Sequence, residues 1–143
     1  KLIDKVSNAY GSQCVLVSID SKKVDKNSWV VSTQGGSVVS DTCPQDWAKE
    51  CINRGAGEIL ITSIDRDGTS EGLELDFISQ FARRVNVPVI ASGGCGLAQH
   101  FVDGYQLGVS AVACGTFFCQ RDQSPMQCRS HIRNAGFPIR LEV

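Results

Sequence analysis

The chain has 143 residues, 42% of them hydrophobic and 20% charged, and its 14 Lys+Arg against 15 Asp+Glu give a formal net charge of −1. That length suits one domain, residues 1–143, whose core needs no disulfide or metal to fold. The charge balance excludes a generally basic nucleic-acid-binding surface, though not a local basic patch, and we expect no nucleic-acid partner. No apolar run approaches the ~20 residues that cross a membrane. We therefore expect a soluble, cytoplasmic protein. Its natural start is expected to lie elsewhere, because the first residue is Lys1 and the single methionine is Met126.

Seven cysteines are spread along the chain without a CxxC pair, together with two histidines. An odd number fits no disulfide framework, and the spacing fits no structural zinc site. Most of the cysteines fall inside apolar runs, which predicts buried, reduced thiols. His100 and His131 have no Cys or carboxylate at ligand spacing, so we expect no metal site. We also expect no cofactor.

Short apolar runs alternate along the chain with segments of helical spacing. Residues 2–9 are predicted to be the end of a helix. The apolar runs are Cys14–Asp20, Glu58–Ile64, Val87–Ser92 and Ser110–Gly115. The other helical segments span about residues 45–54, 74–84, 97–107 and 125–135. Continuous apolar runs are typical of parallel strands that are covered on both faces. Four strand–helix units in series predict an α/β fold with right-handed crossovers and a parallel sheet.

The segment Ser21–Pro44 is a long connection between the first strand and the next helix. The pairs Val30–Val31 and Val38–Val39 predict a small hairpin within it. Long connections in compact domains often carry function, and this one follows a strand that ends in a carboxylate. Trp29 is a candidate to cover a ligand, whereas Trp47 is expected in the core.

Each predicted strand passes to its helix through a polar or glycine-rich segment. These segments are Asp20, Asp65–Thr69, Ser92–Gly96 and Gly115–Thr116. In parallel α/β folds, ligands bind outside the carboxyl ends of the strands, where glycine allows close approach and free N–H groups favour anions. One Gly-Gly pair alone is equally well a tight turn, but three such segments in succession predict a phosphate site.

Three longer stretches, each containing a predicted strand and the polar segment at its end, resemble a known family. They are LVSIDSKK (Leu16–Lys23), GAGEILITSIDRDGT (Gly55–Thr69) and VPVIASGG (Val87–Gly94). They are similar to the cyclase subunit of imidazole glycerol phosphate synthase, a (β/α)8 barrel of histidine biosynthesis. The sister isomerase of that pathway has a similar DGT loop, but it typically has Asp at the position of Ser63, which here follows Thr62. The resemblance covers essentially the whole chain and strands five to eight of the family's barrel, which implies a (β/α)4 half-barrel of the TIM-barrel type.

The resemblance also implies roles for individual residues. Asp20 matches the catalytic aspartate of the second half, a general acid/base in substrate cleavage and imidazole ring closure. Glu58 matches a carboxylate at the opposite end of the barrel, part of the charged gate through which ammonia arrives from a glutaminase partner. The residues that match loops holding one of the substrate's two phosphates are Asp67, Gly68, Thr69, Ser92, Gly93, Gly94, Gly115 and Thr116.

Two interpretations of function follow from this resemblance. In the first, the half-barrel contributes Asp20 and one phosphate site to an ammonia-dependent cyclase when a complementary half completes it, and it has little activity alone. In the second, it is a non-catalytic half-barrel that binds a phosphorylated sugar or ribonucleotide as a homo-oligomer. A subunit that only binds a glutaminase, and a nucleotide-sugar paralogue with the same ammonia chemistry, are further alternatives.

A half-barrel has two sheet edges and one open face, which we expect to be lined by residues such as Val17, Ile61 and Ile90 or their neighbours. The edges are expected at Cys14–Ile19 in the first predicted strand and at Ala111–Gly115 in the fourth. Exposed edges and apolar faces favour association, so the chain is predicted not to be a monomer.

The charged residues near the strand ends are assigned structural roles. Asp65 and Arg66 are expected to form a loop ion pair, with Asp65 orienting the loop. Lys22 and Lys23 are expected to be solvated loop lysines, although both follow Asp20 closely enough to neutralise substrate charge.

Overall fold

The computed structural model describes residues 2–120 and 122–140, which form six strands and six α-helices. The strands are β1 (Leu16–Asp25), β2 (Ser28–Thr33), β3 (Val38–Val39), β4 (Glu58–Ser63), β5 (Val89–Ser92) and β6 (Ala111–Ala113). The α-helices are α1 (Leu2–Tyr10), α2 (Pro44–Asn53), α3 (Leu75–Ala82), α4 (Ala98–Gln106), α5 (Thr116–Gln120) and α6 (Pro125–Asn134). A 3-10 turn at Ser12–Cys14 joins α1 to β1.

The strands form one sheet in the order β3-β2-β1-β4-β5-β6. Neighbours among β1, β4, β5 and β6 are parallel, and the helices α2, α3 and α4 connect them in turn. This arrangement confirms the predicted α/β fold, a parallel sheet with the strand order of a (β/α)4 half-barrel of the TIM-barrel type. The short helix α5 was not predicted, because its five residues are too few to show helical spacing.

The hairpin in the long connection is confirmed, with Thr33 paired to Val38. The first strand, however, begins at Leu16 and continues to Asp25 instead of ending at Asp20. Its second half pairs with β2 in antiparallel register. The sequence analysis took this half for a loop because its residues are mostly polar. In the structure, successive side chains point to opposite faces of the sheet, and Ser21 is fully buried on one of them. The free edge of β1 is therefore Leu16–Ile19, which lies within the expected edge Cys14–Ile19.

Strand residues alternate between a buried face under the helices and an open face. Ile19, Ile59 and Ile61 are at most 1% exposed and share the core with Phe77 and Phe81. Burial of large apolar side chains contributes about 1.5–3 kcal/mol each, so this layer between sheet and helices dominates stability.

The open face contains Ile90 and sequence neighbours of the other two named residues, Leu16 and Leu60. Val17 and Ile61 were expected there, but the strand register places both on the helix side with Ile19. Ile90 does lie on the open face, where it pairs with Leu60. A shift of one residue in a continuous apolar run moves a side chain to the other face, which explains the error.

Each of the two tryptophans lies in an environment opposite to the predicted one. Trp29 is 4% exposed and stacks on Phe77 with 5.3 Å between ring centroids, so it anchors the hairpin instead of covering a ligand. Trp47 is 40% exposed on the outer surface of α2. The prediction of buried thiols is wrong for three cysteines, because Cys14, Cys43 and Cys119 are exposed.

Candidate functional site

A small concave site lies where the loops after β4, β5 and β6 meet. Its free volume, including the open mouth, is about 220 Å³. The residues that line it are Asp67, Gly68, Ser70, Ser92, Gly93, Gly94, Cys95, Ala113, Cys114, Gly115 and Thr116. The structure therefore brings together seven of the eight predicted phosphate residues.

Thr69 is the predicted residue that does not line the site. Its hydroxyl donates to the Arg66 carbonyl at 2.7 Å and accepts from the Glu71 amide at 3.3 Å. Thr69 thus holds the shape of the loop. Cys95, which lies within the predicted segment Ser92–Gly96, also lines the site. Ser70, Ala113 and Cys114 line it too but were missed, because they lie outside the polar or glycine-rich segments that the sequence analysis named.

Glycine is required where the β5–α4 loop packs on the β4–α3 loop. Gly93 and Gly94 have φ of 95° and 99°. A Cβ on Gly94 would lie 2.2 Å from the Gly72 carbonyl oxygen, and one on Gly93 would lie 2.5 Å from that of Ser63. Ser70 also adopts a positive φ of 61°, which is strained for a residue with a side chain.

Backbone N–H groups of the glycines that line this site are candidate donors. Over the described ranges, the amides of Gly68, Gly94 and Gly115 donate to no backbone carbonyl in the turns and loops. Oriented, unpaired amides at glycine-rich turns attract anions such as phosphate. The Ser92 and Thr116 hydroxyls lie in the same lining and add donors of adjustable direction.

Asp20 lies at the same level of the sheet as Ser92, which lines the edge of this site. Residues at one level are paired across neighbouring strands, and we call such a set a row. The register pairs Asp20 with Thr62, Thr62 with Ser92, and Ser92 with Ala113. Two strand spacings separate Asp20 from Ser92, or about 10 Å. The half-buried Asp20 carboxylate therefore shares the open face and the rim with the glycine-lined site.

Glu58 lies at the other end of the same open face. It begins β4 and pairs with Leu16, four residues before Thr62 in the strand. The rise of an extended strand puts about 13 Å between the two rows. Glu58 and Asp20 thus mark opposite ends of one surface.

Two thiols adjoin the glycine-lined site. The Cys114 thiol donates to the Cys95 carbonyl at 3.4 Å. Burial, followed by the neighbouring Cys114, raises the pKa of the Cys95 thiol to about 12, and burial also raises the pKa of Cys114. Both remain neutral at physiological pH, so neither repels an anion at the site.

The charged residues next to the site are arranged differently from the prediction. Asp65 does orient the loop, since its carboxylate accepts from the Lys23 amide at 2.7 Å. Arg66 pairs with Glu74 and Glu71 and not with Asp65. Lys23 is not a solvated lysine either, because its ammonium group lies 3.2 Å from the Glu74 carboxylate.

His100 has a structural role at the start of α4. Its Nδ1 accepts from the amides of Gly96 and Leu97 at 3.1 and 3.2 Å. Within residues 2–120 and 122–140, no group of three or more potential ligands is placed to hold a metal ion. The same part of the chain contains no helix with the length and apolar character needed to cross a membrane.

Comparison with known proteins agrees with the resemblance seen in the motifs. The family model described as histidine biosynthesis protein matches residues 1–124. A protein of Prochlorococcus marinus (strain MIT 9313), provisionally named imidazole glycerol phosphate synthase subunit hisF2, is 65% identical over 142 residues. That match covers 99% of this chain and 54% of the relative.

Imidazole glycerol phosphate synthase subunits HisF of other bacteria are also similar. The subunit of Flavobacterium psychrophilum is 46% identical over 142 residues, and that of Anoxybacillus flavithermus is 43% identical over 142 residues. Both matches cover 56% of the relative, with 99% and 98% of this chain. The chain therefore belongs to the histidine biosynthesis protein family and spans about half the length of the HisF subunits that it matches.

Proposed function

We propose that this chain is a half-barrel of the imidazole glycerol phosphate synthase cyclase type, which binds a phosphorylated sugar or ribonucleotide and acts when a second half completes the barrel. The observation that carries the proposal is the register of the sheet, which pairs Asp20 with Thr62 and Thr62 with Ser92. This register puts Asp20 and the glycine-lined site at the same end of the strands. An acid/base group and an anion site on one surface suit a ligand with a phosphate at one end and its reacting atoms nearer Asp20.

The phosphate is held by backbone amides in this proposal. Gly68, Gly94 and Gly115 supply N–H groups, and the Thr116 hydroxyl supplies a further donor. Asp67 lines the same site, but its carboxylate would repel a phosphate oxygen. Because a carboxylate accepts hydrogen bonds, Asp67 is better suited to a hydroxyl of the attached sugar.

Asp20 is proposed as the general acid/base. Its position on the open face lets it reach a ligand that extends from the phosphate site across Thr62. At the opposite end, Glu58 fits the proposed role in ammonia entry, as in the charged gate that the resemblance implies. A glutaminase subunit would then dock at the Glu58 end of the barrel.

Completion by a second half is proposed from the open face. Leu16 is 46% exposed there, and Leu60 and Ile90 are half-buried. The β6 edge, Ala111–Ala113, and the free edge of β1, Leu16–Ile19, are of similar length. Pairing β6 of one half with β1 of another closes the sheet and buries the apolar face, either in a homo-oligomer or with a complementary half.

Ring closure measured with saturating ammonium tests this function. We expect no turnover from the chain alone at nanomolar concentration, where halves dissociate, and turnover on adding the remaining half of the Prochlorococcus marinus relative. Binding of a phosphorylated ligand without turnover in the completed barrel would favour the non-catalytic interpretation. Absence of both would contradict the proposal.

A further inference from the structure

Glu74 is a buried carboxylate beside the candidate site to which the proposed chemistry gives no role. It immediately precedes α3, and only 6% of its side chain is exposed. Buried carboxylates are rare unless they are paired, because burial removes their hydration. The groups that pair with Glu74 therefore indicate its role.

Two cations from different parts of the chain share this carboxylate. Lys23 of β1 places Nζ 3.2 Å from Oε1, and Arg66 of the β4–α3 loop places Nε 3.4 Å from Oε2. Lys23 lies three residues beyond Asp20, and Arg66 directly precedes Asp67. Glu74 therefore joins the strand that carries Asp20 to the loop that forms one wall of the glycine-lined site.

Other contacts reinforce the same connection. The Lys23 amide donates to Asp65 at 2.7 Å, and the Lys23 ammonium lies 5.0 Å from the centre of the Trp29 ring. Arg66 also pairs with Glu71 at 3.6 Å, but the Glu71 side chain is 71% exposed. An exposed pair is weak, whereas removal of a buried partner leaves two cations uncompensated. Among these ion pairs, the Glu74 pairs are expected to dominate.

We propose that Glu74 is a positioning residue, which fixes the Asp67–Gly68 wall of the phosphate site relative to the strand of Asp20 through Lys23 and Arg66. This inference rests on the proposed function, since the wall matters only if a phosphorylated ligand binds there. Loss of the Glu74 charge would release the loop while leaving the hydrophobic core intact.

The test compares Glu74→Gln with Glu71→Gln, which removes the exposed carboxylate from the same arginine. Amide hydrogen exchange is followed at residues 66–69 and, as an internal reference, in β4 and β5. Affinity for inorganic phosphate is measured by calorimetry. In Glu74→Gln we expect exchange at 66–69 to rise and phosphate affinity to fall, each by about tenfold or more because the site loses its fixed geometry. Glu71→Gln should stay within about twofold of the wild type, as for a weak surface ion pair.

Three results would overturn the inference. They are equal behaviour of the two variants, a rise in exchange that is uniform over β4 and β5, and unchanged phosphate affinity in Glu74→Gln. If the wild-type chain binds no phosphate at millimolar concentration, the proposed function fails. The local exchange comparison then still decides whether Glu74 fixes the loop.

Discussion

Replacing Asp20 by asparagine is expected to lower the rate of ring closure by about 10²–10⁴-fold in the completed barrel, the usual contribution of general acid/base catalysis. Asparagine keeps the size and the position on β1 but can neither take up nor release a proton at neutral pH. The fold should be unaffected, because Asp20 is half-buried on the open face and outside the core. Steady-state assays with saturating ammonium measure the effect.

Asp25→Asn is the matched control for this prediction. Asp25 ends the same strand and is exposed, and its carboxylate accepts from the Lys26 amide. Its replacement should leave the rate within about twofold, as is usual for surface changes away from a site. Equal rates for Asp20→Asn and the wild type would contradict the acid/base role, provided that both bind phosphate.

Placing a charge on the open face is expected to abolish association of the half-barrels. Leu60 lies in the centre of that face, between Ser18 and Ile90 in the register. Leu60 is already half-buried, so Leu60→Asp loses only the part of about 1.5–3 kcal/mol of apolar burial that closure adds. The larger effect comes from the carboxylate, whose desolvation on closure costs several kcal/mol. Because each 1.4 kcal/mol is about tenfold in affinity, the dissociation constant should rise by at least about 100-fold.

Sedimentation at low micromolar concentration measures this effect against the 15.4 kDa monomer. We expect the wild-type chain to sediment as an oligomer and Leu60→Asp as a folded monomer. Leu75→Asp is the control, since Leu75 is 41% exposed on the outer helix α3. If Leu75→Asp dissociates the oligomer and Leu60→Asp does not, the interface lies on the helices. A wild-type chain that sediments as a monomer would contradict association.

The sequence predicted the parallel sheet well, because the relevant information is local. Continuous apolar runs such as Glu58–Ile64, with helical spacing between them, specify strands that are covered by helices. The glycine-rich strand ends were predicted to converge for the same reason, since the carboxyl ends of parallel strands lie along one edge.

Long-range pairing was the main source of errors. Lys23 lies 51 residues from Glu74, so nothing near it in sequence distinguishes it from a solvated lysine. The extension of β1 to Asp25 depends on β2, and the burial of Trp29 depends on Phe77. Local sequence patterns do not show which face of a strand packs against distant residues. For the same reason Val17 was predicted on the open face, although it lies on the helix side.

Amide chemical shifts measured during titration of the labelled wild-type chain with ribose 5-phosphate test the central claim most directly. Gly68, Gly94, Gly115 and Thr116 are predicted to shift together and to saturate in the millimolar range or below, with inorganic phosphate competing at the same amides. Gly108 is an internal reference, because it ends the turn after α4 and does not line the site. Shifts confined to residues outside the three loops, or no shifts at millimolar ligand, would contradict the account.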